Sequence, residues 1–316
     1  MPLPQQVPRT DPDAALLALL GALQGRGYHF VTPTPATHAR VIARPGRRVA
    51  RGLTDIFGWS VPFDAGLLDA DLLDLLIAAD MIEAAGPRQR SRCRVSTLHG
   101  RYFLHAAYPT DYRDAVFFGP DSYRFADFVR DNLGPCGGAR IVDIGTGAGV
   151  GAIVAAGMCP QARVTMTDIN PQALRFARIN AAFAGVDAEF AEGNGLSAVE
   201  GDIDVAIANP PYIVDPEGRA YRDGGDMHGG RLSLDLACEA AHRLSPGGRL
   251  LLYTGSAIVE GRDALREALA EAMPRAGCTL TYRELDPDVF GEEMEQPGYD
   301  DVDRIAVVGA VATRVN

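Results

Sequence analysis

The sequence predicts an α/β protein in which a smaller α+β region precedes a mostly parallel sheet. Beyond about residue 116, short apolar segments alternate with helical stretches. This alternation, with strands that are apolar on both faces, is typical of a parallel sheet covered by helices on both sides. The chain has 316 residues, which suits two unequal domains. We place these domains at residues 1–115 and 116–316.

The first domain is predicted to combine helices with a β-hairpin. Asp11 and Pro12 open a capped helix, since both residue types favour a helix start. Helical apolar spacing over residues 67–82 predicts another helix. Residues 90–108 alternate on either side of His99-Gly100, which indicates a hairpin. A helix followed by an arginine-bearing hairpin resembles a winged helix in its order of elements, and we interpret this domain as the substrate-recognition part.

The second domain is predicted to contain seven strands. Five of them form the parallel part and lie at residues 139–144, 162–168, 186–190, 204–208 and 248–254. Helical stretches separate most of these strands, at residues 149–158, 170–184, 231–244 and 258–275. Segments 279–285 and 304–314 would add two last strands as an antiparallel pair.

Charge is distributed unevenly along the chain. Residues 1–115 carry 13 arginines and 11 acidic residues, whereas the rest carries 17 arginines and 30 acidic residues. Arginines cluster at residues 40–51 and 88–94, which would suit a phosphate-bearing partner. The alternative is an ordinary solvated surface in which arginines pair with acids such as Asp69, Asp71 and Asp74. All 30 basic residues are arginine, so no lysine is available for Schiff-base chemistry.

Cysteine, histidine and apolar patterns bound the class of protein further. The five cysteines form no CxxC pair, which predicts reduced thiols in a cytoplasmic protein. The six histidines show no HExxH-like spacing, so we predict no metal site. No apolar run approaches the roughly 20 residues of a membrane span. Leu16–Leu20 also lacks the basic flank of a signal peptide. We therefore expect no membrane partner, and the sequence does not fix the oligomeric state.

A glycine-rich turn and two acids indicate a nucleotide-like cofactor. Asp143 comes shortly before Gly145-Thr146-Gly147-Ala148-Gly149, where glycines permit a tight turn and close approach of a ligand. Asp168 ends the next strand, where an acid can accept hydrogen bonds from both hydroxyls of a ribose. Its alternative role is to cap the helix that starts near Asn170-Pro171. NAD and S-adenosylmethionine both remain candidates from these residues, although Asp143 would repel a pyrophosphate and suit an ammonium group.

The loop resembles the first motif of class I methyltransferases, and the likeness implies a Rossmann-like domain that binds S-adenosylmethionine. In that family the glycine loop holds the methionine part of the cofactor, the acid after the second strand holds the ribose, and a residue after the third strand meets the adenine. The residues that this likeness places around the cofactor are Phe118, Asp143, Gly145, Thr146, Gly147, Gly149, Asp168, Ile169, Asn194 and Asn209.

The tetrapeptide Asn209-Pro210-Pro211-Tyr212 follows the fourth strand. In the same family an NPPY sequence at this place marks enzymes that methylate nitrogen, on adenine, cytosine or the amide of glutamine. The Asn209 side-chain carbonyl and the Pro210 main-chain carbonyl can accept the two hydrogens of a planar amino group. The prolines stiffen the loop, so these acceptors are preorganised. We predict Asn209, Pro210 and Tyr212 as catalytic residues, with Tyr212 stacking on the acceptor. The alternative is a rigid turn that only ends a strand.

Two further segments resemble protein-glutamine methyltransferases of the release-factor type. Residues 117–129 resemble the segment before their catalytic domain, with Pro120, Asp121 and Ser122 opening a helix and Phe117 or Phe118 facing the sulfonium. Residues 224–253 resemble the region between their fourth and fifth strands. The sequence departs from the family at residues 254–256, where TGS replaces an acid-containing ending, and throughout residues 1–115.

The acceptor stays open at this level. An RNA base or a protein glutamine would suit an N-methyltransferase that acts on a macromolecule. A small molecule, such as an amino acid or a natural product with a nitrogen, sulfur or oxygen acceptor, is the alternative. A binding module without activity is a third possibility, which the retention of Asp143, Asp168, Asn209 and Tyr212 disfavours.

Overall fold

A computed structural model describes residues 11–110, 113–215 and 222–315 of the chain. The chain divides into two compact units. One comprises Met1–Asp111, Val116–Pro120 and Ile179–Gly185; the other comprises Tyr112–Ala115, Asp121–Arg178 and Val186–Asn316. The domain boundary that we place between residues 115 and 116 stays a prediction. Residues 1–10, 111–112, 216–221 and 316 of the chain lie outside the described part.

The first unit combines four α-helices with two hairpins within its described residues. The helices are α1 (Pro12–Gly25), α2 (Pro35–Ile42), α3 (Leu53–Phe57) and α4 (Ala70–Ala78), and the strands are β1 (Ile82–Ala85), β2 (Arg88–Ser91), β3 (Cys93–Leu98) and β4 (Arg101–Ala106). Asp11 caps α1 by accepting a hydrogen bond from the Asp13 amide. The hairpin predicted around His99-Gly100 is present, because both residues adopt the left-handed backbone that a two-residue turn requires.

The second unit is built on one sheet. Its elements are α5 (Pro120–Asn132), β5 (Arg140–Ile144), α6 (Val150–Met158), β6 (Arg163–Asp168), α7 (Pro171–Phe183), β7 (Glu189–Glu192), β8 (Ile203–Ala208), α8 (Arg231–Arg243), β9 (Leu244–Val259), β10 (Arg262–Asp263), α9 (Ala264–Arg275), β11 (Cys278–Asp286), a 3-10 helix (Gly291–Glu295) and β12 (Arg304–Arg314). The strand order is β11-β12-β9-β8-β5-β6-β7, and the short β10 pairs with β9.

The parallel and antiparallel parts of this sheet match the predicted arrangement. Strands β5 to β9 pair in parallel, whereas β12 runs antiparallel to both β9 and β11. Helices α8 and α9 bury apolar residues such as Leu236 and Leu269 against β8, β9 and β12. The seven main strands and the mostly parallel order confirm the Rossmann-like α/β fold that the sequence indicates.

Three expectations need correction. The helix predicted over residues 67–82 covers only Ala70–Ala78, and Ile82 already begins β1. The helix predicted from residue 258 begins at Ala264, because β9 continues to Val259 and Asp263 caps the helix by accepting from the Arg266 amide. The expectation of unpaired thiols is wrong for Cys136 and Cys159, which the structure joins in a disulfide with a Cα–Cα distance of 5.8 Å. They meet because the turns that lead into β5 and β6 lie side by side, where the Arg163 amide donates to the Ala139 carbonyl.

Apolar helices are short in the described part of the chain. The longest α-helix there is α1, with 14 residues. None of the helices in this part has the length and hydropathy needed to cross a bilayer.

Candidate functional site

The candidate site lies where the strand order of the second unit reverses. β5 is flanked by β6, the next strand along the chain, and by β8, which comes much later. Ile144 at the end of β5 pairs with Thr167 on one side and Ala208 on the other. The loops that follow these strands therefore leave the sheet at the same edge. Ligands of open α/β sheets bind in the crevice at such a switch point.

The three loop glycines at this edge have two different functions. Gly145 and Gly147 adopt positive φ angles of 66° and 54°, and a Cβ added at either would meet no atom within 4 Å. Their bare backbone therefore faces open space that a ligand can fill. Gly149 instead packs: a Cβ there would lie 3.2 Å from Ile153 Cδ1 and 3.5 Å from the backbone of Ala177. The loop thus presents an open cradle at its start and a tight helix contact at its end.

Asp143 stabilises this loop from below. Its side chain is buried, and Oδ2 accepts hydrogen bonds from the Thr146 hydroxyl at 2.7 Å and from the Ala152 amide at 2.9 Å. Burial raises the pKa of Asp143 to about 6, although these two hydrogen bonds act in the opposite direction. The carboxylate thereby joins the loop to the first turn of α6. Its predicted contact with the cofactor stays a prediction.

Asp168 connects the glycine loop to the chain that follows β6. Oδ2 accepts from the Gly147 amide at 2.9 Å, and Oδ1 accepts from the Asn170 amide at 2.9 Å. The Ile169 amide also bonds to this carboxylate. Because two carboxylate oxygens offer about four acceptor positions, one position remains for a hydroxyl. Burial raises the pKa of Asp168. The next residue, Ile169, is 50% exposed, so it offers an apolar surface beside the carboxylate.

Asn194 and Phe118 complete the residues predicted for the cofactor. Asn194 is exposed and lies in the turn after β7, the strand that pairs with the end of β6. Phe118 belongs to the first unit, where its ring stacks on His105 at 4.8 Å and lies 5.5 Å from Phe103. Phe118 is 4% exposed. The roles of both residues remain predictions.

The Asn209–Tyr212 tetrapeptide follows β8 and continues into a tightly packed loop. Asn209 is half-buried, whereas Pro210 and Tyr212 are buried. The backbone of Gly224 and Gly229 lies directly against Tyr212: a Cβ at Gly224 would lie 2.7 Å from Tyr212 Cα, and one at Gly229 would lie 2.3 Å from its carbonyl oxygen. Gly224 and Gly229 are therefore needed, because the chain approaches the tetrapeptide too closely there for side chains.

The side chain of Tyr212 is buried, and both its hydroxyl and its ring contact other residues of the second unit. Its hydroxyl hydrogen-bonds to Asp121, which also accepts from the Tyr253 hydroxyl at 3.2 Å and from Arg124 at 3.3 Å. Its ring lies against the backbone of Gly255, where a Cβ would come within 2.1 Å of Tyr212 Cδ2. Tyr212 is 7% exposed. The TGS sequence at 254–256 thus provides the bare backbone on which this ring rests. Stacking of Tyr212 on an acceptor stays a prediction.

The connection between β11 and β12 covers the end of the same loop. Phe290 adopts a left-handed backbone conformation, unusual for a bulky residue, and its ring meets Tyr212 edge-to-face at 5.7 Å. The Tyr299 hydroxyl accepts from the Val214 amide at 2.9 Å. Glu293 is buried and pairs with Arg222. These contacts fix the segment 287–303 beside the tetrapeptide.

Most of the arginines that suggested a phosphate-bearing partner have local partners in the first unit, whereas Arg40, Arg44 and Arg48 are exposed. Arg88, Arg90 and Arg92 pair with Asp64, Glu83 and Asp80 at 3.0, 4.0 and 3.6 Å. Arg94 is 4% exposed and donates to the Gly58 carbonyl at 2.8 Å. In the other cluster, Arg47 and Arg51 both pair with Asp55. Asp69 and Asp71 pair with Arg26 rather than with either cluster.

Sequence reasoning missed the residues that support the tetrapeptide. Asp121 is separated from Tyr212 by 91 positions, and Tyr253 from Asp121 by 132. The only signal in the sequence was that Asp121 opens a helix, which says nothing about distant partners. The glycines at 224, 229 and 255 were a better signal, since glycine is retained where two backbones meet closely.

An open glycine cradle, an acid with a spare acceptor position and an NPPY loop meet at one switch point. Together they define the class I methyltransferase fold and site. The residues fit S-adenosylmethionine: the cradle at Gly145 and Gly147 leaves room for its amino-acid part, Asp168 suits its ribose diol, and Ile169 offers an apolar surface.

Comparison with known proteins identifies the family of this chain. A family profile described as "Methyltransferase small domain" matches residues 127–273. The release factor glutamine methyltransferase of Deinococcus radiodurans is 38% identical over 165 residues, which cover 49% of this chain and 55% of that relative. The release factor glutamine methyltransferase of Rhodospirillum rubrum is 30% identical over 231 residues, which cover 68% of this chain and 67% of that relative. The crystal structure of wild-type Trm5b from Pyrococcus abyssi aligns with a TM-score of 0.51 and 15% identity, over 74% of this chain and 62% of that one.

The chain belongs to the class I S-adenosylmethionine-dependent methyltransferase family that includes these release factor glutamine methyltransferases. The matched region spans 55% of the length of the Deinococcus relative. The likeness to Trm5b supports the fold alone. The assignment to the family therefore rests on the sequence relatives and on the fold of the second unit.

Proposed function

We propose that the protein transfers a methyl group from S-adenosylmethionine to the side-chain amide nitrogen of a glutamine in a protein, with a peptide-chain release factor as the acceptor. The position of Asn209 and Pro210 carries this proposal. They follow β8 at the switch point, beside the glycine cradle that follows β5. The curated relatives described above share this assignment in their names.

The chemistry follows from the nature of an amide nitrogen, whose lone pair is delocalised into the carbonyl. S-adenosylmethionine supplies an electrophilic methyl group. The Asn209 side-chain oxygen and the Pro210 carbonyl oxygen accept the two amide hydrogens, which orients the nitrogen and increases its electron density. The new N–C bond forms as the S–C bond breaks, and one amide proton leaves to solvent. Holding the acceptor in line contributes by proximity.

The acceptor side of the second unit favours a protein over a nucleic acid. The segment from Asp286 to Asp303 is rich in acidic residues and contains no arginine. It packs beside the tetrapeptide through Phe290 and Tyr299. A polyanion would be repelled there, whereas a neutral amide in a basic protein region would be tolerated. The local pairing of Arg88, Arg90 and Arg92 weakens the argument for a phosphate-bearing partner at residues 88–94.

Labelled S-adenosylmethionine tests the proposal directly. The protein is incubated with a purified release factor from the same source, and peptides are examined by mass spectrometry for one added methyl group on glutamine. In parallel, a fractionated lysate is labelled and treated with RNase or protease. Label on a release-factor glutamine supports the proposal. Label lost with RNase would move the assignment to RNA, and label confined to the low-mass fraction would move it to a small molecule.

A further inference from the structure

We propose that Asp121 is a positioning residue for methyl transfer, which acts through the Tyr212 hydroxyl to hold the Asn209–Pro210 acceptors in place. The inference deepens the proposed function and rests on it. In this inference Asp121 fixes the acceptor loop, by which we mean residues 209–215, and the buried Tyr212 side chain connects that loop to Asp121.

The first step is the enclosure of Tyr212. Its ring has the backbone of Gly255 on one side and the edge of Phe290 near it, and its hydroxyl is bonded to Asp121. Tyr212 comes three positions after Asn209, with two prolines between them. Prolines transmit a fixed backbone direction, because their φ angle is locked. The orientation of the Tyr212 ring therefore limits the orientation of the Pro210 carbonyl.

The second step is the chemistry of Asp121. Its side chain is buried at the first turn of α5 and accepts from three donors, namely Tyr212, Tyr253 and Arg124. A carboxylate suits this position because it accepts hydrogen bonds only. Tyr253 and Arg124 reach Oδ1, whereas Tyr212 reaches Oδ2. An amide nitrogen in place of Oδ2 could donate to the Tyr212 hydroxyl oxygen, but the hydroxyl hydrogen would lose its acceptor and the bond would lose its charge.

The third step is the rigidity of the partners of Asp121. Tyr253 lies in the middle of β9, fully buried, with Phe125 and Phe128 packed against its ring at 5.8 and 6.2 Å. Arg124 also pairs with Asp286 at 2.9 Å. Asp121 is thus fixed to the central sheet and to the end of β11, and Tyr212 attaches the acceptor loop to that fixed point.

The acceptor-free test measures hydrogen–deuterium exchange in wild type, Asp121→Asn and the matched control Asp127→Asn. Asp127 lies on the same helix but is half-exposed and paired with Arg130 on the surface. We expect the peptide that spans residues 209–215 to exchange at least about tenfold faster in Asp121→Asn, with the glycine loop unchanged. Asp127→Asn should match the wild type. Unchanged exchange of residues 209–215 in Asp121→Asn overturns the inference.

The catalytic test is a double-mutant cycle of Asp121→Asn and Tyr212→Phe, with turnover expressed per folded molecule. Each single variant should lower kcat about tenfold and leave the affinity for S-adenosylmethionine within about threefold of wild type. The double variant should have a kcat close to that of either single variant. Single effects that multiply in the double variant would show that Asp121 does not act through Tyr212. If the wild type fails to methylate the release factor, the proposed function fails. The cycle then uses the acceptor fraction from the lysate experiment, and the exchange test decides the inference.

Discussion

The loop of residues 145–149 and the loop of residues 209–215 leave neighbouring strands, yet different kinds of contact hold them. The first is held by nearby residues: Asp143 and Asp168 bond to amides and a hydroxyl within or beside the loop. The second is held by side chains from distant parts of the chain, with Asp121 on one side and the connection between β11 and β12 on the other.

This difference predicts that the two loops can be changed independently of each other. A cofactor that never changes can be bound by a short local motif, which the chain carries as one continuous stretch. An acceptor loop that must suit a particular substrate can be tuned by changing distant segments, because these fix its position without touching the cradle. Changes on the two sides should therefore separate into effects on cofactor affinity and effects on turnover.

The largest expected effect is on the acceptor side. Asn209→Ala should lower kcat about a hundredfold or more, because one of two preorganised hydrogen-bond acceptors is lost. The affinity for S-adenosylmethionine, measured by calorimetry, should stay nearly the same. Asn209→Asp keeps an acceptor oxygen and should lose less activity. Wild-type turnover in Asn209→Ala would mean that the tetrapeptide only ends a strand.

Asp143, the buried acid below the glycine loop, should make the free energy of unfolding depend on pH. The pKa of Asp143 rises from 3.8 to about 6 on folding. The folded state therefore binds more protons between those values, and its free energy of unfolding falls as pH rises from about 4 to about 6. The loss corresponds to about 3 kcal/mol and is constant above that range. Denaturation of wild type and Asp143→Asn across pH 4–7 isolates this contribution as their difference. A difference that does not change with pH would contradict it.

Removing the ribose acceptor should affect binding rather than chemistry. Asp168→Ala removes a charged acceptor, a loss of roughly 1.5–3 kcal/mol per hydrogen bond. The dissociation constant for S-adenosylmethionine should rise about tenfold or more. Glu192→Ala, which removes an exposed acid at the end of the adjacent strand, is the matched control and should bind normally. Tight binding of NAD with none of S-adenosylmethionine would refute the cofactor assignment.

Two glycine substitutions sharpen the comparison between the loops. Gly147 and Gly229 both have positive φ angles, where an alanine lowers the stability of the folded state by roughly 1–2 kcal/mol. Gly147→Ala places its methyl group in the open cradle and should weaken cofactor binding. Gly229→Ala places its methyl group against the Tyr212 carbonyl and should lower turnover and melting temperature with cofactor affinity retained. Calorimetry and rate measurements on both variants would show whether the effects separate in this way.

The arrangement of the glycine loop was easier to predict from the sequence than the surroundings of the Asn209–Tyr212 tetrapeptide, for a physical reason. Strand β5, the glycine loop and the acid after β6 form one local unit, so their pattern shows in a single stretch of about 30 residues. The position of Asp121 beside Tyr212 depends on the register of β9 and on how α5 packs, which local periodicity does not encode. The length of β9 was missed because TGS reads as a strand end, whereas Gly255 is needed for the Tyr212 ring.

The smallest expected effect concerns the arginines of the β1–β2 hairpin. Arg88, Arg90 and Arg92 are about one-third to two-fifths exposed and already paired with acids. Surface pairs of this kind contribute about 0–1 kcal/mol. Replacing all three with glutamine should leave methylation of a protein acceptor within about twofold of wild type, because no phosphate is held there. Arg94→Gln is the contrasting variant, since its buried guanidinium donates to the Gly58 carbonyl and its loss should lower the melting temperature. A large, salt-dependent loss of acceptor binding in the triple variant would restore the nucleic-acid hypothesis.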